Sequence, residues 1–238
     1  MRLFSRRCRC SAVIAAGGGS TRMAGADKLF LDIGGLPVLA RTVSVFACCD
    51  SVDELIVVAR EDCLERVAEL CARYAGGKDV GVVAGGGTRL RSVYNGVFAA
   101  SSRAELIAIH DGARPFLTGK LLSETIGAAL KYGAAAPAAP VTNTVKLVGR
   151  GGAVVRTIDR DGLYEIQTPQ VFKAEIIKAA LTAALGKSIA VTDDCAAVEA
   201  MGFPVHTVPG ERRNIKITTG EDMSLAEALA AIGGAVPQ

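Results

Sequence analysis

Four short apolar runs, Ala12–Ala16, Leu55–Ala59, Val80–Ala84 and Leu106–Ile109, each pass into a polar cluster and then into a stretch with helical spacing. Runs that are apolar at every position suit strands covered on both faces. Their alternation with helices predicts an α/β fold built on a parallel, doubly wound sheet. In such sheets ligands lie beyond the carboxyl ends of the strands. The clusters Gly17–Lys28, Gly85–Arg89 and His110–Pro115 all fall there. The 238 residues fit one such domain, residues 1–238, with room for a sizeable core.

The helices follow from apolar spacing. Pro37 to Phe46 buries Leu39, Val43 and Phe46, and Glu61 to Tyr74 places Leu64, Val67, Ala68 and Cys71 on one face. A third helix runs through Ser92, Asn95 and Val97. Thr118 caps a fourth that buries Leu121, Leu122, Ile126 and Leu130. After Ala134 the pattern changes. Ala135–Val141 reads as a strand, and Thr144–Val148 with Ala153–Ile158 reads as a hairpin, within an inserted arm at about 137–166. An isolated hairpin is marginal in water, so the arm is expected to pack on a second subunit or back on its own domain. Gln167–Phe172 leads into a helix over 173–185. Thr192, Asp193 and Asp194 open a short helix, where the dipole favours acids. Pro204–Val208 and Asn214–Thr218 read as strands. Thr219 and Asp222 form a capping box for a final helix with Leu225, Ala228, Leu229 and Ile232 on its apolar face.

Charge and cysteine content exclude several functions. A net charge of +3, without Lys/Arg runs interleaved with aromatics, argues against nucleic-acid binding. Seven cysteines without paired C-x-x-C spacing point to reduced thiols in a cytoplasmic protein. Residues 1–10 form a basic tail, and the apolar run after it is shorter than the roughly 7–15 residues of a signal peptide core. No stretch approaches the roughly 18 apolar residues of a membrane span.

The chemistry is concentrated in the polar clusters. Glycine turns bring backbone N–H groups close to a phosphate, and Arg22 and Lys28 add the charge a triphosphate needs. The dinucleotide fingerprint fails because Arg22 stands where its third glycine belongs, which argues against a nicotinamide-dependent oxidoreductase. The P-loop fails because no Gly-Lys-Ser/Thr follows. With two histidines, covalent catalysis has little to draw on. His110 reads as either a hydrogen-bonded structural residue or a catalytic one. Asp111 can hold Mg²⁺ or a sugar hydroxyl, or simply form a turn. Lys216, framed by Ile215 and Ile217, calls for an anionic partner. Cations with a few carboxylates at strand ends suit in-line phosphoryl or nucleotidyl transfer.

Taken in order, the motifs resemble one family. They are Ala15-Ala-Gly17 with Arg22-Met23 and Lys28, Gly85-Gly86 with Arg89, Ser92-Val93 with Asn95-Gly96, and His110-Asp-Gly-Ala-Arg-Pro115. They continue through Ala139-Pro-Val141 with Thr144-Val-Lys146, Asp159-Arg160 with Gly162-Leu163, Thr168-Pro-Gln170, Thr192-Asp193 and Asn214-Ile-Lys-Ile-Thr218. From about residue 11 to about 230 the chain resembles the 2-C-methyl-D-erythritol 4-phosphate cytidylyltransferases. The resemblance implies a Rossmann-like fold of the nucleotide-diphospho-sugar transferase type. It also implies CTP, a polyol phosphate and Mg²⁺ as ligands, and a homodimer joined through the arm. Arg22, Lys28 and Lys216 are then catalytic. Ala15, Ala16, Gly17, Gly18, Gly19, Gly86, Ser92 and Asp111 bind the nucleotide. Asp111, Arg114, Thr144, Arg160 and Thr218 bind substrate, and Asp111 is the candidate contact to a metal held mainly by phosphates. The sister ribitol-5-phosphate cytidylyltransferases share most of these motifs. A non-catalytic nucleotide-binding module should have lost Arg22, Lys28 or Lys216, and all three are present. The chain departs from the family pattern in a first glycine loop one residue longer, in Gly87 where Asp is often found, and in Arg213 where an acidic or polar residue commonly stands.

Overall fold

A computed structural model describes residues 8–18, 27–187 and 191–233. The chain forms β1 (Cys10–Ala16), a small antiparallel pair β2 (Asp32–Ile33) and β3 (Leu36–Pro37), and α1 (Val38–Ala47). Next come β4 (Glu54–Ala59), α2 (Leu64–Tyr74), β5 (Asp79–Ala84), α3 (Arg89–Ala99), β6 (Leu106–Asp111) and α4 (Gly119–Tyr132). β7 (Ala134–Pro140) precedes a separate hairpin, β8 (Val145–Val148) and β9 (Val154–Ile158). The chain ends with β10 (Tyr164–Ile166), β11 (Gln170–Lys173), α5 (Ala174–Gly186), α6 (Asp194–Glu199), β12 (His206–Pro209) and α7 (Gly220–Gly233).

The main sheet has eight strands in the order β10-β7-β11-β6-β1-β4-β5, with β12 alongside β7. β1 pairs in parallel with both β4 and β6, and β4 with β5, as the alternation requires. One face is covered by α1, α2, α4 and α7, the other by α3, α5 and α6. Successive β1 residues serve opposite cores, Ile14 one and Val13 the other. α3 lies close on the sheet because its Gly96 has no side chain: a Cβ there would sit 2.5 Å from Val58 and 2.6 Å from Val13. Thr118 caps α4 as expected, its hydroxyl accepting from Leu121 N–H at 3.1 Å, a contact worth about 1 kcal/mol. Thr219 and Asp222 exchange the two bonds of a capping box at the start of α7.

Several expectations need correction. Gln170–Lys173 is a strand, inserted antiparallel between β6 and β7, with Val171 and Phe172 fully buried. Asn214–Thr218 joins no sheet: the Ile-x-Ile pattern buries Ile217, but isolated backbone bonds to Ala113 and Glu211 and several side-chain bonds hold the segment in place of a ladder. Leu130 of α4 and Ala68 of α2 face solvent, and Leu70 takes the inward place in α2. In α7 the inward residue is Ala226, with Met223, Leu229 and Ala230 beside it, whereas Leu225, Ala228 and Ile232 point outward. The arm is narrower than the expected 137–166: residues 137–140 and Tyr164–Ile166 pair within the main sheet, and the β8–β9 hairpin stands apart, leaving Leu147, Val148, Val154 and Val155 exposed. None of the seven cysteines forms a disulfide among the described residues. No helix among the described residues is long and apolar enough to cross a membrane.

Candidate active site

A cleft of about 380 Å³ opens where β1 lies between β4 and β6, the point at which the connections diverge to opposite sides of the sheet. Its floor is the end of β1, from Ala15 to Gly18. One wall is the turn after β5, with Gly86, Gly87, Thr88, Arg89 and Ser92. The opposite wall carries Asp111, Ala113, Lys216 and Thr218, and Lys28 and Leu29 complete the lining. Sheet register sets the depth of the carboxylate, because Ala15 of β1 is the partner of Asp111 at the end of β6.

The β5–α3 turn is shaped by Ser92. Its buried hydroxyl accepts from Gly86 N–H at 2.9 Å and donates to the Thr88 carbonyl at 3.0 Å, so the glycine loop folds over the first turn of α3. Gly86 must be glycine, since a Cβ would lie 2.1 Å from Arg91 Cγ. Asn95 holds the strand end by donating to the Ala84 carbonyl.

Asp111 is the centre of a cation cluster. Lys216 Nζ lies 2.8 Å from Oδ2, Arg114 Nε 3.5 Å from the same oxygen, and Arg89 Nη2 3.8 Å from Oδ1. Burial alone would raise the carboxyl pKa, but Lys216, Arg89 and Arg114 together outweigh it and bring it down to about 2. Arg89 also grips Asp194 of α6 through two parallel bonds of 3.0 and 2.8 Å. Burial works against the Arg89 charge. Asp194 and Asp111 overcome that and hold the guanidinium firmly protonated.

The segment bearing Lys216 is fastened by several hydrogen bonds. Ile217 N–H donates to the Ala113 carbonyl at 2.9 Å, and Arg114 donates to the Asn214 carbonyl at 2.7 Å. The buried Asn214 amide donates to Thr168 O and Gln167 Oε1, and Lys28 donates to the Ile217 carbonyl at 2.9 Å. Thr218 is bound through both its N–H and its hydroxyl to Asp222 at 2.7 Å.

His110 proves structural. It is fully buried, its Nε2 donates to the Arg114 carbonyl at 3.2 Å, and its Nδ1 accepts from the Thr168 hydroxyl at 3.0 Å. Thr168 in turn accepts from Asp111 N–H at 3.1 Å, so His110 steadies the turn that presents Asp111. Burial pushes the imidazole pKa down to about 4, keeping the ring neutral.

Of the residues expected at the site, Ala15, Ala16, Gly17, Gly18, Lys28, Gly86, Ser92, Asp111, Lys216 and Thr218 line the cleft. Gly19 and Arg22 lie outside the described residues. Arg114 turns to Asp111 and the Asn214 carbonyl instead of lining the cleft. Thr144 and Arg160 are exposed near the base of the arm, where Arg160 donates to the Thr142 carbonyl. Sequence reasoning passed over the pairing of Arg89 with Asp194. The glycine motif contains Arg89, but no spacing signal links it to an acid at the start of α6.

The sequence profile of the 2-C-methyl-D-erythritol 4-phosphate cytidylyltransferases (IspD) matches residues 10–231. The chain belongs to this family. A 2-C-methyl-D-erythritol 4-phosphate cytidylyltransferase of Caldanaerobacter subterraneus subsp. tengcongensis is 43% identical over 222 residues, covering 91% of this chain and 96% of the relative. One from Geobacillus kaustophilus is 42% identical over 219 residues, covering 92% and 95%. Among solved structures, the 4-diphosphocytidyl-2C-methyl-D-erythritol synthase of Anaerococcus prevotii superposes with a TM-score of 0.85 at 34% identity, covering 94% of this chain and 96% of that one. The cytidylyltransferase of Thermus thermophilus gives 0.77 at 34% identity, covering 93% and 98%.

Proposed function

We propose that this chain joins CTP to 2-C-methyl-D-erythritol 4-phosphate, forming CDP-methylerythritol and releasing pyrophosphate in non-mevalonate isoprenoid synthesis. The observation that carries this reading is the convergence of Lys28 and Lys216 on a cleft floored by glycine backbone, with Asp111 beside Lys216 on one wall. The β5–α3 loop held by Ser92 offers backbone groups to the cytosine. The end of β1, with Lys28 and by family resemblance Arg22, takes the triphosphate. Thr218 stands at the mouth toward the polyol phosphate.

The acceptor phosphate is already anionic near neutral pH, so its oxygen attacks the α-phosphorus without a general base and pyrophosphate leaves in line. Lys28 and Lys216 offset the charge of two approaching phosphates and support the leaving group. Of the hydroxyls on the described lining, Ser92 donates to the Thr88 carbonyl, Thr218 donates to Asp222, and Thr88 caps α3 by accepting from Arg91 N–H. This favours direct transfer over an enzyme-bound intermediate.

Asp111 is the one carboxylate on the described cleft lining, and among the described residues no group of three or more His, Cys, Asp or Glu side chains could hold a metal. That donor set fits a Mg²⁺ held mainly by phosphates, with Asp111 as its protein contact. Bound there, the ion supplies charge neutralisation. We further assign the exposed apolar arm to a second copy of the chain, with Thr144 and Arg160 serving the polyol phosphate in the neighbouring cleft. Cysteines without disulfides suit the cytoplasm.

Pyrophosphate release with CTP and Mg²⁺ tests the reading. Turnover with methylerythritol 4-phosphate and not with ribitol 5-phosphate is expected. Turnover with ribitol 5-phosphate alone assigns the sister reaction, and none with either overturns the proposal.

A further inference from the structure

Arg89 has two carboxylates within reach, and it bonds only one of them. Its guanidinium makes a two-bond fork to Asp194, at 3.0 Å from Nη1 and 2.8 Å from Nη2. The same Nη2 stays 3.8 Å from Asp111 Oδ1, beyond hydrogen-bonding range. The other oxygen of Asp111 is already engaged by Lys216 at 2.8 Å. Oδ1 is therefore the oxygen that, among the described residues, has no hydrogen bond, and Asp111 lines the cleft.

We propose that Asp194 is a positioning residue that withholds Arg89 from Asp111 and so keeps the Asp111 carboxylate open to the nucleotide. Asp194 is suited to this because it cannot shift. It is 1% exposed, and its backbone N–H bonds Gln170 Oε1 at 3.0 Å. The amide nitrogen of the same Gln170 side chain donates to Asp193 Oδ2 at 2.8 Å, tying the start of α6 to β11. A planar guanidinium satisfied at both η nitrogens by one carboxylate has little to gain from a second. Remove the charge of Asp194 and the geometry reverses: the nearest anion to Arg89 becomes Asp111, and the guanidinium moves onto Oδ1. The nucleotide then competes with an internal ion pair for the same oxygen.

This inference rests on the cytidylyl-transfer reading, and one titration separates the two. Binding of CTP with Mg²⁺ is measured calorimetrically for the wild type, Asp194→Asn and the double variant Arg89→Gln/Asp194→Asn, with thermal melting to check folding. Asp194→Asn is expected to weaken CTP about tenfold, the scale of one charge-assisted hydrogen bond. The double variant is expected to recover to within about threefold of wild type, because the occluding guanidinium is gone; an anchor that merely held the fold would not be rescued by a second loss. Unchanged affinity in Asp194→Asn, or a double variant no better than the single, overturns the proposal. Should the single variant fail to fold, the double variant decides alone: near-wild-type affinity supports the proposal and a loss of tenfold or more overturns it. Wild-type protein that does not bind CTP overturns the functional reading itself.

Discussion

Lys28 Nζ donates to the carbonyl of Ile217 at 2.9 Å, across 189 positions of the chain. The lysine beyond the first glycine turn is thereby tied to the segment that carries Lys216, and these two cleft cations share one support. Lys28→Met and Lys216→Met are each expected to lower kcat by roughly 10²–10³-fold, the scale for removing a donor aimed at developing charge, with a smaller change in KM. Steady-state kinetics with both substrates saturating reads this. An effect confined to KM would assign the lysines to ground-state binding.

Gly86 permits the close approach of the second glycine loop to Arg91. In Gly86→Ala the new methyl has to displace the first turn of α3, at a cost of about 1–3 kcal/mol. Urea unfolding should show that loss. On the proposed reading, in which the loop contacts the base, the KM for CTP should rise while kcat stays within a few-fold of wild type, because Lys28 and Lys216 are untouched.

The folded state should weaken with acid in two separate windows. His110 has a pKa of about 4 when folded, below the roughly 6.5 of an unfolded histidine, so between those values the unfolded chain binds more protons. Its contribution is complete above about pH 6.5 and falls away as pH drops toward 4, by about 2–3 kcal/mol. Asp111, at about 2 when folded, keeps its contribution down to about pH 4 and loses it only toward pH 2. Urea unfolding at pH 7.5 and 4.5 checks the first window. The stability advantage of wild type over His110→Gln should shrink at the lower pH, and a pH-independent difference would contradict it.

Chelation should abolish turnover without altering the thermal melting of the ligand-free protein, since no resident metal is expected. Added Mg²⁺ should restore activity at once. A drop in melting temperature with EDTA would mean that a structural ion had been overlooked.

Val154 and Val155 of β9 are more than half exposed, an unfavourable arrangement for an isolated hairpin. If the arm joins two copies, Val155→Glu should shift sedimentation from dimer to monomer while far-ultraviolet circular dichroism is retained. Monomeric wild type at micromolar concentration would remove the role assigned to the arm.

The parallel half of the sheet was legible because β1, β4 and β6 are buried on both faces and so read as unbroken apolar runs, a pattern the half-buried edge strand β5 shares. β11 was hidden. Only Val171 and Phe172 mark it, and both its neighbours in the sheet come from distant segments. The reverse error arose at 214–218, where an alternating apolar pattern describes one buried side chain, Ile217, and no strand partner. At the site, glycines and lysines at strand ends announce themselves through local chemistry. The pairing of Arg89 with Asp194 depends on α6 meeting the β5–α3 loop, which no local pattern encodes. Likewise, whether His110 was structural or catalytic was decided by Thr168 and the Arg114 carbonyl, neither visible as its partner in the sequence.

Cations around the cleft are proposed to pass the cytidylyl group directly from CTP to the acceptor phosphate. The stereochemical course at the α-phosphorus tests it most directly, using CTP carrying a single sulfur of defined configuration at that position and methylerythritol 4-phosphate as acceptor. One in-line displacement gives inversion, which is the expected result. Net retention would require two displacements through a covalent enzyme intermediate and would contradict the account.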